Sequence, residues 1–278
     1  MKRNTTTMIF LAGLTLLGAC GEPGDGTTAG TESSGIVEIS VVGSTTVQPL
    51  AELLSEAYEA IDPNVRVTVS GGGSSVGVKS AAEHTADIGM ASREIKESEI
   101  QDCPEIVIHT IARDGIAIVA NPDIDVDGIT MEQARGIFSG EITDWSEVGG
   151  TAGTITVAAR EEGSGTRSAF EDLVMDDALI TEMAILQPSN GAIRTTVATT
   201  PGCIAFLSFG YLDSSTKPMA VHGALPTAEN VSTGSYPVVR PLNMVTYGEP
   251  TGAVAEWLEF ITGEDGQAIV AAEGYIPI

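Results

Sequence analysis

Ile155-Thr156-Val157-Ala158-Ala159 followed by Arg160-Glu161-Glu162-Gly163-Ser164-Gly165-Thr166-Arg167 reads as a strand that runs into a glycine-rich turn. The next segment, Ser168 to Leu179, reads as a helix. Strand, turn and helix start form the repeating unit of an α/β fold. A helix start carries unpaired backbone N–H groups and a partial positive charge, so it suits an anion. Gly163 and Gly165 let the backbone approach a ligand, while Ser164 and Thr166 add hydroxyls. Arg160 and Arg167 add planar forks of N–H donors. The octet therefore has the parts to strip water from a small oxyanion and hold it by hydrogen bonds.

The same unit recurs upstream. Ile36 to Val42 reads as a strand, and Gly43-Ser44-Thr45-Thr46 leads into a helix whose apolar face is Val47, Leu50, Ala51, Leu54, Ala57, Tyr58 and Ile61. Asp62-Pro63-Asn64 stops that helix. Val65 to Val69 is a second strand, followed by Gly71-Gly72-Gly73-Ser74-Ser75 and a short helix through Ala82, and Asp87 to Ala91 is a third strand. The alternation predicts a mainly parallel sheet. Val107 to Ala120 is too long and apolar for one ordinary strand, and Arg113-Asp114-Gly115 interrupts it, which predicts a crossing between two lobes. Beyond it come a helix over Met131–Phe138, a helix over Ala192–Thr199 and a strand over Ile204–Phe209. Val238 to Tyr247 is a candidate return crossing, and helices near Ala253–Ile261 and Gly266–Glu273 close the chain. The expected division is a lobe built from 36–112 plus 237–278 and a second lobe of 113–236. A single turn of this kind is most simply a helix cap. Three of them at strand ends in one open sheet point to a ligand site.

The N-terminus has a different composition. Lys2 and Arg3 precede an apolar run, Met8 to Ala19, which is too short to span a bilayer but suits a signal segment. It ends Leu17-Gly18-Ala19-Cys20, which resembles the bacterial lipobox; that resemblance implies cleavage after residue 19 and lipidation of Cys20. Residues 20–35 read as a flexible tether. The formal net charge is −25, and no basic run exists, so nucleic acid is not an expected partner. The acidity also opposes long-range attraction of an anion, so binding would rest on local dipoles and a few arginines. Cys103 and Cys203 remain, either paired or as free thiols. His84, His109 and His222 lie far apart, and neither CxxC nor HExxH occurs, so no metal or cofactor is expected.

Several motifs, in order along the chain, resemble the phosphate-binding protein of bacterial phosphate ABC importers. They are Gly43 to Thr46, Gly71 to Ser75, Asp87-Ile88-Gly89-Met90-Ala91-Ser92-Arg93-Glu94, Arg113-Asp114-Gly115, Phe138 to Trp145, Arg160 to Arg167 and Ser189-Asn190-Gly191-Ala192. The resemblance implies a two-lobe periplasmic-binding-protein fold, with a ligand cleft between lobes joined by two crossing strands. It implies a monomeric, lipid-anchored protein of the cell envelope that hands inorganic phosphate to the permease subunits. It places the phosphate ligands on Ser44, Thr45, Thr46, Ser74, Ser75, Arg160, Ser164, Gly165 and Thr166. Glu162 would brace the arginine, with Arg167 and Asn190 in support. Some family members carry Asp where this chain has Arg93, and that Asp accepts the proton of hydrogen phosphate. Arg93 would donate instead, which leaves Asp114, then Glu94, as candidate acceptors; the competing role for Asp114 is an ion pair with Arg93, Arg113 or Arg160.

A carboxylate facing an unprotonated oxyanion leaves two acceptors unpaired, at a cost of roughly several kcal/mol. The alternatives are a binding protein for sulfate or molybdate, and a phosphatase with Ser164 as nucleophile. Against the enzyme, Ser164 lacks a GxSxG frame and has no histidine nearby in sequence. GxxxxGK[ST] is absent as well.

Overall fold

The computed structural model describes residues 35–278. The expected leader (1–19), Cys20 and all of the tether but Gly35 lie outside the described residues. The first α/β unit begins with β1 (Val37–Gly43), whose partner β2 (Val65–Gly71) lies parallel in register from Val37 opposite Val65 to Gly43 opposite Gly71. Between them runs α1 (Gln48–Ile61), which buries Leu50, Ala51, Leu54 and Tyr58 of the expected face. Ile61 lies 63% exposed, because the helix ends there and Asp62 takes an extended conformation. Helix α2 (Ser74–Ala82) leads to β3 (Ile88–Ala91), which is buried throughout and pairs in parallel with β1. A six-residue α3 (Glu97–Asp102), which the sequence pattern does not announce, precedes the long strand β4.

Strand β4 (Ile106–Ala120) is unbroken through Arg113-Asp114-Gly115. Its first part pairs antiparallel with β11 (Val239–Tyr247), and its second part pairs antiparallel with β8 (Cys203–Ser208). The interruption read in the sequence marks a change of neighbourhood. Ile111 and Ala112 belong to one core, with Leu50, Leu54, Leu242, Trp257 and Ile261. Ile116 to Ala120 belong to another, which otherwise draws on residues between Val126 and Val238. The polar residues between these two apolar runs sit where the cores meet.

The remaining strands are β5 (Gly128–Ile129), β6 (Thr156–Arg160), β7 (Ile185–Gln187), β9 (Lys217–Pro218) and β10 (Ala220–Val221). The sheet order is β2-β1-β3-β11-β4-β8-β6-β7, with β9 on the end of β4 and a separate β5–β10 pair. β6 is parallel to both β7 and β8. The sheet is thus parallel within each unit and antiparallel at the crossing, where β11 returns from the second unit and pairs with both β3 and β4. Helices α4 (Met131–Ser139), α5 (Gly165–Phe170), α6 (Asn190–Thr199) and α7 (Ala228–Ser232) belong to the second unit, and α8 (Gly252–Thr262) and α9 (Glu264–Ala272) complete the first. Phe170 stacks on Phe206 with ring centroids 4.0 Å apart, and Phe138 meets Phe170 edge-on at 4.7 Å.

The helix expected to run to Leu179 stops early. After Phe170 it widens into a π-turn, Glu171–Met175, and Asp176 turns to φ 57°. Acidic side chains oppose the negative end of a helix dipole, and Glu171, Asp172, Asp176 and Asp177 crowd that end. Cys103 and Cys203 are both free; Cys203 is buried within β8, where burial pushes its thiol up to about 12.

Helix α2 packs close on the sheet because Gly77 and Gly89 carry no side chain. A Cβ at Gly89 would run into the Gly77 carbonyl, and one at Gly77 into the Met90 and Val42 carbonyls. That contact is backbone on backbone, so it cannot be relieved by a rotamer change. Gly89→Ala is expected to lower stability by about 1–3 kcal/mol, the usual cost of overpacking, read as a lower urea midpoint with unchanged slope. An unchanged midpoint would show that α2 is not held this tightly.

Candidate functional site

Three strand-to-helix turns converge at the crossing. In the first, Ser44 ends the β1 turn and its Oγ accepts from the backbone N–H of Thr46 (3.2 Å) and Val47 (3.4 Å). In the second, Gly73 donates its N–H to the Gly43 carbonyl at 2.9 Å, which ties the two turns together. Gly72 and Gly73 hold φ of 152° and 93°, a region that L side chains disfavour. In the third, Ser164 caps α5 by accepting from Arg167 N–H (3.3 Å). The Ser75 N–H reaches across to the Gly163 carbonyl at 3.1 Å, so the third turn is docked on the second. Gly165 lies so near Ser74 and Ser92 that a Cβ there would overlap both hydroxyls.

The hydroxyls form one buried array. Ser44 Oγ donates to Ser92 Oγ at 2.9 Å, and Ser92 N–H donates to Ser74 Oγ at 3.0 Å. Thr46 Oγ1 lies 3.1 Å from Thr166 Oγ1 and accepts from Asn190 Nδ2 at 2.9 Å. Tyr211 donates its hydroxyl proton to the Thr45 carbonyl at 2.7 Å. Thr45 Oγ1 itself is buried with no protein partner.

Charge is the more informative feature. Arg160, only 1% exposed, donates from Nε to Gln187 O (3.1 Å) and from Nη2 to Pro188 O (2.8 Å), while Nη1 is buried without a partner. Burial, reinforced by the nearby Arg240 charge, lowers its pKa to about 10. Asp114 and Arg240 face each other directly across β4 and β11. Arg240 donates to Asp114 Oδ2 from Nη2 at 2.7 Å and from Nε at 3.1 Å, and Phe209 N–H donates to Oδ1 at 3.3 Å. Burial pushes the Asp114 carboxyl up and the Arg240 guanidinium down, and each is opposed by the other's charge. Asp114 neutralises one of the two guanidiniums, and the charge of Arg160 is left over.

Several expected roles change. The ion pair of Asp114 is with Arg240, rather than with Arg93, Arg113 or Arg160. Arg93 forks onto Glu99 (2.8 and 2.7 Å) and reaches Ser75 Oγ at 3.2 Å, while its Nε is buried without a partner. Glu162 is exposed and makes no ion pair among the described residues. Arg160 is braced instead by the carbonyls of Gln187 and Pro188, and Arg167 supports it from behind by donating Nη1 to the Arg160 carbonyl at 3.0 Å. Glu94 is exposed, whereas Asn190 is fully buried. Arg240, Ser92, Ser208 and Tyr211 were not among the expected site residues. A lone arginine in the apolar run Val238–Tyr247 was the available signal for Arg240. No group of metal-ligating side chains occurs among the described residues, and none of their helices is long and apolar enough to cross a membrane.

Two α/β units joined by paired crossing strands, with a buried polar cluster at the crossing, define a two-lobe binding protein. A PBP superfamily domain is matched over residues 22–265. The phosphate-binding protein PstS of Bacillus subtilis is 33% identical over 287 residues, covering 100% of this chain and 95% of that protein. A solved Clostridium perfringens structure, a putative phosphate ABC transporter substrate-binding protein with bound phosphate, superposes with TM-score 0.83 at 36% identity, covering 87% of this chain and 99% of that one. An ABC-type phosphate transport receptor from Vibrio cholerae gives TM-score 0.73 at 34% identity, over 86% and 100%. The chain belongs to the PstS family of phosphate-binding proteins within the PBP superfamily, a family of solute-binding proteins and not of enzymes.

The Arg93–Glu99 fork ties the Ser92 turn to α3 and has a pH signature. Burial raises the Glu99 pKa, but hydrogen bonds from Arg93 and from Lys96 N–H outweigh it and hold the carboxyl below its ordinary value of 4.5. A depressed folded pKa means that the pair's stabilisation is present above the unfolded pKa and is lost as pH falls through the folded one. Glu99→Gln is expected to lower stability at pH 7 by about 1–3 kcal/mol and to flatten stability against pH below 4.5. Parallel pH profiles for the two proteins would contradict this.

Proposed function

We propose that this chain captures inorganic phosphate in the cleft between its lobes and delivers it to the permease of an ABC importer. The observation that carries the reading is the buried, unpartnered Nη1 of Arg160, with Thr45 Oγ1 equally unpartnered among the same three turns. A guanidinium N–H sealed from water without an acceptor is costly, and an oxyanion supplies both the acceptor and the missing negative charge. The ligand set is Thr45, Ser74, Ser75, Arg160, Ser164, Gly165 and Thr166, with Ser44, Thr46 and Asn190 holding the hydroxyls in place. The lobes are 36–112 plus 237–278 and 113–236, a division favoured by the change of core within β4. Closure brings donors from both lobes onto one anion, and a permease can read that closed shape. Lipid attachment at Cys20 would keep a monomeric protein at the outer face of the membrane that holds the permease. Sulfate and molybdate offer the same tetrahedral acceptors. Phosphate is preferred because the related proteins are phosphate binders and the motifs keep their order.

Phosphate at 100 times its Kd is expected to stabilise the 35–278 chain by about 2.7 kcal/mol, seen as a rise in Tm that grows with the logarithm of concentration. No rise with phosphate, together with a rise for sulfate or molybdate, would overturn the assignment. Arg160→Met is expected to abolish the phosphate-dependent rise while the ligand-free protein stays folded, since the substitution removes an uncompensated buried charge. Retained binding would place the anion elsewhere.

A further inference from the structure

Thr46 Oγ1 is a node with a fixed hydrogen-bond direction. The Ser208 backbone N–H donates to Asn190 Oδ1 at 3.3 Å, so the amide of Asn190 must present Nδ2 to Thr46 Oγ1, at 2.9 Å. Arg240 Nη2 also donates to Thr46 Oγ1, at 3.2 Å. A hydroxyl oxygen accepts two hydrogen bonds and donates one. With both acceptor positions taken by obligate donors, the Thr46 proton must point at its third neighbour, Thr166 Oγ1, 3.1 Å away. Thr166 therefore accepts from Thr46, and its own proton is directed elsewhere. Thr166 is 1% exposed, and its hydroxyl has no other protein partner among the described residues.

We propose that Arg240 is a positioning residue of the anion site, acting through Thr46 to leave the Thr166 hydroxyl as an obligate donor to the bound anion. This rests on the phosphate-binding reading above. Arg240 can do so because Asp114 holds it from the facing strand, with Nη2 shared between Asp114 Oδ2 (2.7 Å) and Thr46 Oγ1 (3.2 Å). The hinge strands thus carry no ligand themselves and still set the polarity of a ligand contact on the second lobe. Asp114 serves as the counter-ion that aims Arg240 and does not receive the ligand's proton. Lysine lacks the second nitrogen, Nε, whose 3.1 Å contact with Asp114 Oδ2 fixes the guanidinium plane and so aims Nη2 at Thr46.

The test uses the 35–278 chain, with phosphate and sulfate affinities by titration calorimetry and folding by circular dichroism and Tm. Arg240→Lys and Thr46→Val are each expected to weaken phosphate binding roughly tenfold or more, the loss of a charge-assisted contact. Arg240→Gln with Asp114→Asn removes both charges while keeping a hydrogen-bonding pair. It leaves the net charge unchanged and guards against a single variant that fails to fold. If Arg240 acts only by stabilising the hinge, this double variant restores wild-type affinity, and the proposal is overturned. If Arg240 acts through Thr46, affinity stays low in the folded double variant, and adding Thr46→Val to it costs little more. Independent, additive losses overturn the proposal. So does a change in the phosphate-to-sulfate ratio caused by Asp114→Asn alone, since that would put Asp114 on the ligand. A wild-type chain that binds no phosphate would count against the proposed function instead.

Discussion

Asp114 and Arg240 on the crossing strands β4 and β11, and Arg160 at the end of β6, are sealed from water, and their charges do not cancel. This imbalance organises the rest of the site. Asp114 and Arg240 meet across a strand pair, so neither can move without disturbing the hinge. Arg160 sits at the end of β6 with two of its nitrogens tied to carbonyls and one left over. A protein interior tolerates such a group when something brought in from outside completes it. The three turns supply hydroxyls around that position, so charge and hydrogen-bonding capacity both favour an oxyanion.

The overall charge of −25 makes this local arrangement necessary. At physiological ionic strength, surface charges are screened over about 8 Å, so the acidic exterior does not set the potential at the buried polar cluster. There the dielectric is low and a single unmatched guanidinium counts for far more than a surface carboxylate. Tyr211 and Ser75 donate to the Thr45 and Gly163 carbonyls, so the three turns are held together by protein–protein hydrogen bonds of their own.

The parts of this design that depend on local pattern could be read in the sequence. Apolar spacing in α1, glycines before α2 and α5, and the length of Val107–Ala120 each report on their own segment, and the order of elements follows from them. The pairing of Asp114 with Arg240 could not be read, because the residues lie 126 positions apart and their register is decided by how β11 returns against β4. The same limit explains Arg93 and Glu162. Each sits in a motif with the right residue types, but side-chain direction depends on neighbours such as Glu99 and Pro188, which come from α3 and from the loop after β7. The early end of α5 falls where acidic residues meet the negative end of its dipole, which an apolar period does not register.

The most direct measurement is a crystal structure of the 35–278 chain grown with phosphate. The account predicts a tetrahedral anion between the lobes, with Arg160 Nη1 and Thr45 Oγ1 as donors and the Asp114–Arg240 pair intact beside it. An anion bound elsewhere, or an Arg160 Nη1 satisfied by a protein carboxylate in the bound form, would contradict it.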